Sequence, residues 1–157
     1  MFLGKDILYI CLVSRGIGGK MKQALLWLWQ APQNIAGLVF WRICRQRGWF
    51  HRWSLSSGVS IIEVSLSIGV SLGAYVFVTE GCPENTVKHE LGHFEQSKLL
   101  GPLYLLLIGI PSAVFNYLWD RQFHKNWAPT KRQKWYFSRF PEAWADKLGG
   151  VQRGDNG

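Results

Sequence analysis

The stretch Asn85-Thr-Val-Lys-His89-Glu90-Leu91-Gly92-His93-Phe-Glu-Gln-Ser-Lys-Leu-Leu100 decides how this chain is read. Asn85 or Thr86 suits a helix N-cap, and Gly101-Pro102 supplies a stop. The spacing therefore predicts a helix over 86–100. Residues four apart on a helix share a face, with about 5–6 Å between their Cβ atoms. His89 and His93 stand in that relation, and two imidazoles so placed take two corners of a tetrahedral Zn²⁺ site. Glu90 follows His89 by roughly 100° of rotation. It stands beside the metal, where a general base takes a proton from a zinc-activated water.

Upstream, residues 59–79 alternate apolar and small polar side chains around Val64, Leu66, Ile68, Val70 and Leu72. A period of two predicts strands, with Gly69 and Gly73 at turns or bulges. A strand ending near Val78 is expected to lie as an edge above the metal, where an extended peptide could pair with it. Gly92 is expected to leave room on the helix for close approach.

Further back, 24–41 is apolar but carries Gln30, Pro32, Gln33 and Asn34 in its middle. Three amides and a proline are costly at mid-bilayer, so two short interfacial helices broken at Pro32 are expected there. Arg42, Arg45, Arg47, His51 and Arg52 then interleave with Trp41, Trp49, Phe50 and Trp53, a composition suited to lipid headgroups. Residues 1–20 have no secretory cleavage signal. The glycine pair before Met21 is compatible with a ribosome-binding site, so translation is expected to start at Met21.

The whole chain is 157 residues with a net charge of +8 and nine Trp, which excludes a disordered, collagen-like or coiled-coil protein. Three scattered Cys (Cys11, Cys44 and Cys82) exclude a disulfide scaffold or a thiolate zinc ribbon and read as core residues. The charge is uneven: residues 1–57 carry eight basic groups and one acid, whereas 58–98 carry two basic groups and five acids. Anionic membrane is the partner this favours. No nucleic-acid-binding motif is present, so nucleic acid is not an expected partner.

Downstream, no residue of 99–119 is charged. This run either spans a membrane or forms a buried or re-entrant pair of short segments broken at Gly101-Pro102 and Pro111. Residues 120–134 read as a basic polar connection, and a last helix starts near Pro141 and ends at Gly149-Gly150. Two residues here compete as third metal ligand. His124 reads first as an exposed loop histidine. Glu142, four residues before Asp146, would complete a His₂Glu site with one open position, while Asp146 would hold a ligand histidine's tautomer. The plainer reading makes Glu142 a first-turn acid and Asp146 a surface partner of Lys147 or Arg139. Tyr104, Tyr136 and His124 are the candidates for stabilising an oxyanion.

His89-Glu90-x-Gly92-His93 followed by Glu142-x-x-Ala145-Asp146 resembles the gluzincin metallopeptidases, in motif nearest to the CAAX prenyl protease class. The resemblance implies His89, His93 and Glu142 as metal ligands, Glu90 as catalytic base and Asp146 as the aspartate that supports a ligand histidine from behind. With Gly101-Pro-Leu-Tyr, Ile108-Gly-Ile-Pro-Ser and Trp144-Ala-Asp-Lys-Leu-Gly-Gly, the motifs also look like a small uncharacterised bacterial zincin family over residues 70–151. The chain is much shorter than the prenyl proteases, so prenyl-peptide cleavage is not carried over.

The expectation is an α+β, zincin-like fold. Its active-site helix packs on a small sheet, and a C-terminal helix carries the third ligand. Residues 1–20 are an over-annotated extension, 21–57 a membrane-associating segment, 58–151 the metallopeptidase domain and 152–157 a flexible tail. The expected function is a zinc-dependent peptidase acting on peptide or protein substrates, in contact with lipid at the cytoplasmic side of a bacterial inner membrane. A non-catalytic zinc-binding or membrane-surface-binding protein is the alternative.

Overall fold

The computed structural model describes residues 17–56 and 58–153, apart from the side chains of Ile17, Gly18, Lys20 and Phe115. Among the described residues the architecture is mixed α and β, with one four-stranded sheet and six helices. The chain divides after Gly81 into two compact units.

The first unit opens with α1 (Ile17–Trp29) and α2 (Ala31–Gln46). The break falls at Gln30, and Pro32 occupies the first turn of α2, where its missing N–H costs nothing. α1 runs across Met21 without interruption, and residues 1–16, including Cys11, lie outside the described part. The mid-run amides are buried. Asn34 Nδ2 donates to Trp27 O at 2.8 Å, and Asn34 Oδ1 accepts from Ala74 N at 2.7 Å. Met21, Leu25, Leu28, Ile35, Val39 and Ile43 stay exposed instead.

Of the residues read as suited to headgroups, Trp41, Arg42 and Arg45 lie in α2, whereas Phe50, His51, Arg52 and Trp53 open β1 (Phe50–Ser56), which pairs antiparallel with β2 (Val59–Val64) across the expected 57/58 boundary. Arg52 is held there by Glu63. β3 (Gly69–Leu72) and β4 (Tyr75–Thr79) complete the sheet in the order β1-β2-β4-β3. β4 pairs parallel with β2 and antiparallel with β3, so it is interior and not the edge expected of it. Its residues Tyr75 to Val78 are all buried, as suits a strand covered on both faces. Gly73 makes the β3–β4 turn with φ +61°, and any Cβ there would meet Asn34 Oδ1 at 2.1 Å. Gly69, by contrast, simply opens β3. The core joins Cys44, Ile62, Val64, Ala74, Tyr75 and Phe77.

The second unit starts with α3 (Glu84–Leu100), two residues longer at its start than expected. Its N-cap is Pro83, and neither Asn85 nor Thr86 caps it. Gly101, with φ 52°, turns the chain through one 3₁₀ turn over Gly101–Leu103 into α4 (Leu105–Phe123). The two helical arms meet at 120°. Among the described residues no single helix is long and apolar enough to cross a membrane; this bent pair passes that test jointly.

Pro111 does not split α4. It enters the first turn of a second widened stretch, so its lack of an N–H is absorbed where one set of π-type turns ends and another begins. The expected basic connection contains the end of α4 and a further helix, α5 (Pro129–Phe137). α6 (Glu142–Gly149) follows Pro141 and ends at Gly150 in the left-handed conformation.

α3 and α6 cross with their backbones nearly touching. A Cβ on Gly92 would lie 1.9 Å from Ala145 O, and one on Gly149 would lie 2.0 Å from Lys88 O. The space beside Gly92 is therefore filled by the facing helix and is not free for a substrate.

Candidate metal centre

α3 and α6 bring together the side chains that motif spacing singled out. His89 Nε2 and His93 Nε2 lie 3.0 and 3.2 Å from the same atom, Glu142 Oε2. One ligand atom from each of these three buried residues lies within 4.8 Å of the other two. Glu142 is 0% exposed, so the reading of it as a first-turn surface acid is set aside.

The outer nitrogens decide which ring atoms are free. Asp146 is acceptor-only, and its Oδ1 lies 2.7 Å from His89 Nδ1, so it takes the proton carried there. Gln96 does the same for His93. Its Nε2 donates to Pro141 O at 3.0 Å, which orients the amide and turns Oε1 toward His93 Nδ1 at 2.8 Å. With both Nδ1 atoms protonated, the two Nε2 atoms present lone pairs toward one carboxylate oxygen. Three electron-rich atoms so close require a cation or extra protons among them.

The carboxylate is oriented from its other side. Ser112 Oγ donates to Glu142 Oε1 at 2.5 Å, and Asn116 Nδ2 reaches the same oxygen at 3.5 Å. Burial alone would raise the Glu142 pKa, but hydrogen bonds from His89 and His93 hold it well below the usual carboxylate range. For His93, burial pulls the pKa down. The bond to Glu142 and the charges of Glu90 and Glu142 outweigh that and push it up to about 9 without a metal.

Glu90 is also buried, and its Oε2 has no hydrogen-bond partner. Burial pushes its carboxyl above the ordinary range, against the attraction of His93 and His89. Tyr136, on α5, comes close enough to feel the same charge: burial raises its phenol first, and the charge of Glu142 adds to that.

Of the other candidates, His124 is buried elsewhere. It stacks on Trp127 at 3.9 Å, with Asp120 Oδ1 3.3 Å from its Nδ1, so it is neither exposed nor part of the cluster. Tyr104 is buried.

Asp146 is not an ordinary surface partner of Lys147 or Arg139. Arg153 donates to it through Nε at 2.5 Å and Nη2 at 2.8 Å, while lying over the Phe137 ring. Gln152 O accepts from Asn85 Nδ2. Residues 152 and 153 of the expected flexible tail are thus tied down; 154–157 lie outside the described part.

Sequence reasoning missed Gln96, Ser112, Asn116 and Arg153 as site residues. One signal was present: Ser112, Asn116 and Asp120 recur every four residues within an apolar run.

No family model, curated protein or solved structure matches the chain.

The donor set fits a divalent metal. Two imidazole nitrogens and one carboxylate oxygen could hold a metal ion, and each histidine has an acceptor on its far nitrogen. The unpartnered Glu90 oxygen is the second fitting observation, since a buried carboxylate without a donor needs a nearby cation or a proton.

Proposed function

We propose that the chain is a membrane-associated zinc metallopeptidase of gluzincin type. One observation carries the reading: His89 Nε2, His93 Nε2 and Glu142 Oε2 converge, each imidazole having an acceptor on its far nitrogen, and the buried Glu90 presents an oxygen, Oε2, without a hydrogen-bond partner. The motif resemblance to gluzincins supports the same roles.

His89, His93 and Glu142 would hold the ion, which when bound supplies a Lewis acid to polarise a carbonyl and acidify water. Glu90 takes the proton of the attacking water on Oε2 and delivers it to the leaving amine nitrogen. Burial raises its affinity for a proton, as suits a group that takes one up in the reaction. Tyr136, already beside Ser112 and Glu142, is the hydroxyl placed to donate to the developing oxyanion. Asp146 and Gln96 keep protons on the two Nδ1 atoms and so keep both Nε2 lone pairs available. Membrane association is supported by α1 and α2, along which Met21, Leu25, Leu28, Ile35, Val39 and Ile43 are exposed while Gln30, Gln33 and Asn34 are buried.

Elemental analysis of purified wild type and Glu142→Ala tests the site. One zinc per chain in the wild type and far less in the variant is expected; no zinc in either folded protein refutes the reading. Glu90→Gln should retain zinc and lose hydrolysis of a peptide library, and undiminished turnover would remove Glu90 as the base.

A further inference from the structure

α4 is built with its polarity reversed. Its buried positions, Tyr104 just before it and then Ile108, Asn116 and Asp120, fall with the half-buried Ser112 on every fourth residue. That stripe carries the polar groups, two of which reach Glu142. The opposite face is aliphatic and open: Leu106 is 60% exposed and Leu118 54%, with Ile110 and Val114 between them. A helix of a water-facing surface shows the opposite arrangement, with its polar side outward.

In an ordinary α-helix a four-residue step overshoots the turn by about 40°, so such a stripe would wind round the helix. The π-type turns over Leu105–Gly109 and Pro111–Leu118 keep it on one side and leave the apolar side unbroken.

The segment after α4 has the complementary character of an interface. Residues 121–139 carry six basic side chains and no acid. Several cations sit on aromatic rings, with Arg121 over Tyr117, Lys131 over Trp127 and Arg139 over Trp135. Aromatic and cationic side chains together mark the boundary between acyl chains and anionic headgroups. A second copy on this face would set the same six cations against themselves.

We propose that the outward face of α4 lies in the acyl region of a bilayer containing anionic lipid, with the 121–139 cations on its headgroups. The inward face touches Glu142, so the His89–His93–Glu142 cluster stands about one helix diameter, roughly 10 Å, from lipid. The corollary rests on the peptidase reading: the substrate is a polypeptide segment emerging from, or lying on, the bilayer surface.

The test uses the full chain with Cys11→Ser and Cys82→Ser, buried Cys44 being retained. An environment-sensitive fluorophore is attached at Ile110→Cys or, separately, at Lys125→Cys. On vesicles of phosphatidylcholine and phosphatidylglycerol the label at 110 should shift to the blue and lose most of its emission to brominated acyl chains; the label at 125 should not be quenched. Lys131→Ala should weaken partition to these vesicles about fivefold and leave binding to pure phosphatidylcholine unchanged. A label at 110 that ignores brominated lipid overturns the proposal, as does a blue shift in solution that disappears on dilution, which assigns the face to a second copy. The quenching needs neither zinc nor turnover. Zinc content measured on the same samples therefore separates failure of lipid docking from failure of the peptidase reading.

Discussion

Gly92→Ala should damage the metal centre without touching a ligand. The new methyl would start 1.9 Å from Ala145 O and 2.6 Å from Ala145 C. Both are backbone atoms of α6, so no side chain can swing aside. A contact of about 3.4 Å requires α3 and α6 to part by about 1.5 Å. The helix gains up to about 1 kcal/mol from replacing glycine by alanine, whereas overpacking of this kind costs about 1–3 kcal/mol. Net destabilisation is expected to be modest, about 1–2 kcal/mol. The effect on the metal should be much larger. Glu142 rides on α6 and its two histidine partners ride on α3, and metal–ligand distances tolerate only about 0.2 Å. Zinc affinity, measured by competition with a chromophoric chelator, should fall at least tenfold, with circular dichroism still reporting a folded helical protein. Wild-type zinc affinity together with an unchanged melting temperature would refute the account of how the two helices set the site. Gly149→Ala, whose methyl would meet Lys88 O at 2.0 Å, repeats the test from the other helix.

Other perturbations separate the supporting groups. Asp146→Asn should weaken zinc binding about 10–100-fold, because it replaces the charged acceptor of the His89 Nδ1 proton with a neutral amide that no longer fixes the ligating tautomer; unchanged affinity in a titration would reduce Asp146 to a partner of Arg153. Tyr136→Phe should lower kcat about 100-fold with KM little changed, and equal losses in both would mark the phenol as structural. In the metal-free protein the folded His93 pKa of about 9 exceeds its ordinary 6.5. The linked stability is therefore complete below pH 6.5 and lost as pH rises through 9, a total of roughly 3 kcal/mol. Urea melts of the metal-free chain across that window should show the decline, and a flat profile would remove the His93–Glu142 ion pair.

The parts legible in the sequence are those that rest on short-range periodicity. Alternation within 59–79 pointed to strands, and β2, β3 and β4 lie there, although Leu66 and Ile68 fall between strands; Pro32 gave the α1–α2 break, and the four-residue spacing of His89 and His93 put both imidazoles on one face. Glu142 and Asp146 were legible because their helix repeats that spacing. β1 was not, because six of its seven residues are exposed and no buried alternation exists to read. α5 was missed for a similar reason: it buries no residue completely and carries a run of cations. Gln96 is oriented by Pro141 O, 45 residues away, and Arg153 folds back on Asp146 from beyond the last helix, contacts that local periodicity does not encode. The interior place of β4 depended on pairing order, which alternation within one strand does not encode.

The Ser112 and Asn116 bonds have a consequence for denticity. Both fall on Glu142 Oε1, and both histidine nitrogens fall near Oε2. A helix with no candidate ligand of its own thus occupies one carboxylate oxygen and would leave the other to an ion. Freed of those two bonds, Glu142 could offer an ion both oxygens, and the second would compete for the corner that a substrate carbonyl needs. The difference between a reactive centre and a saturated one would then lie in a serine and an asparagine on α4.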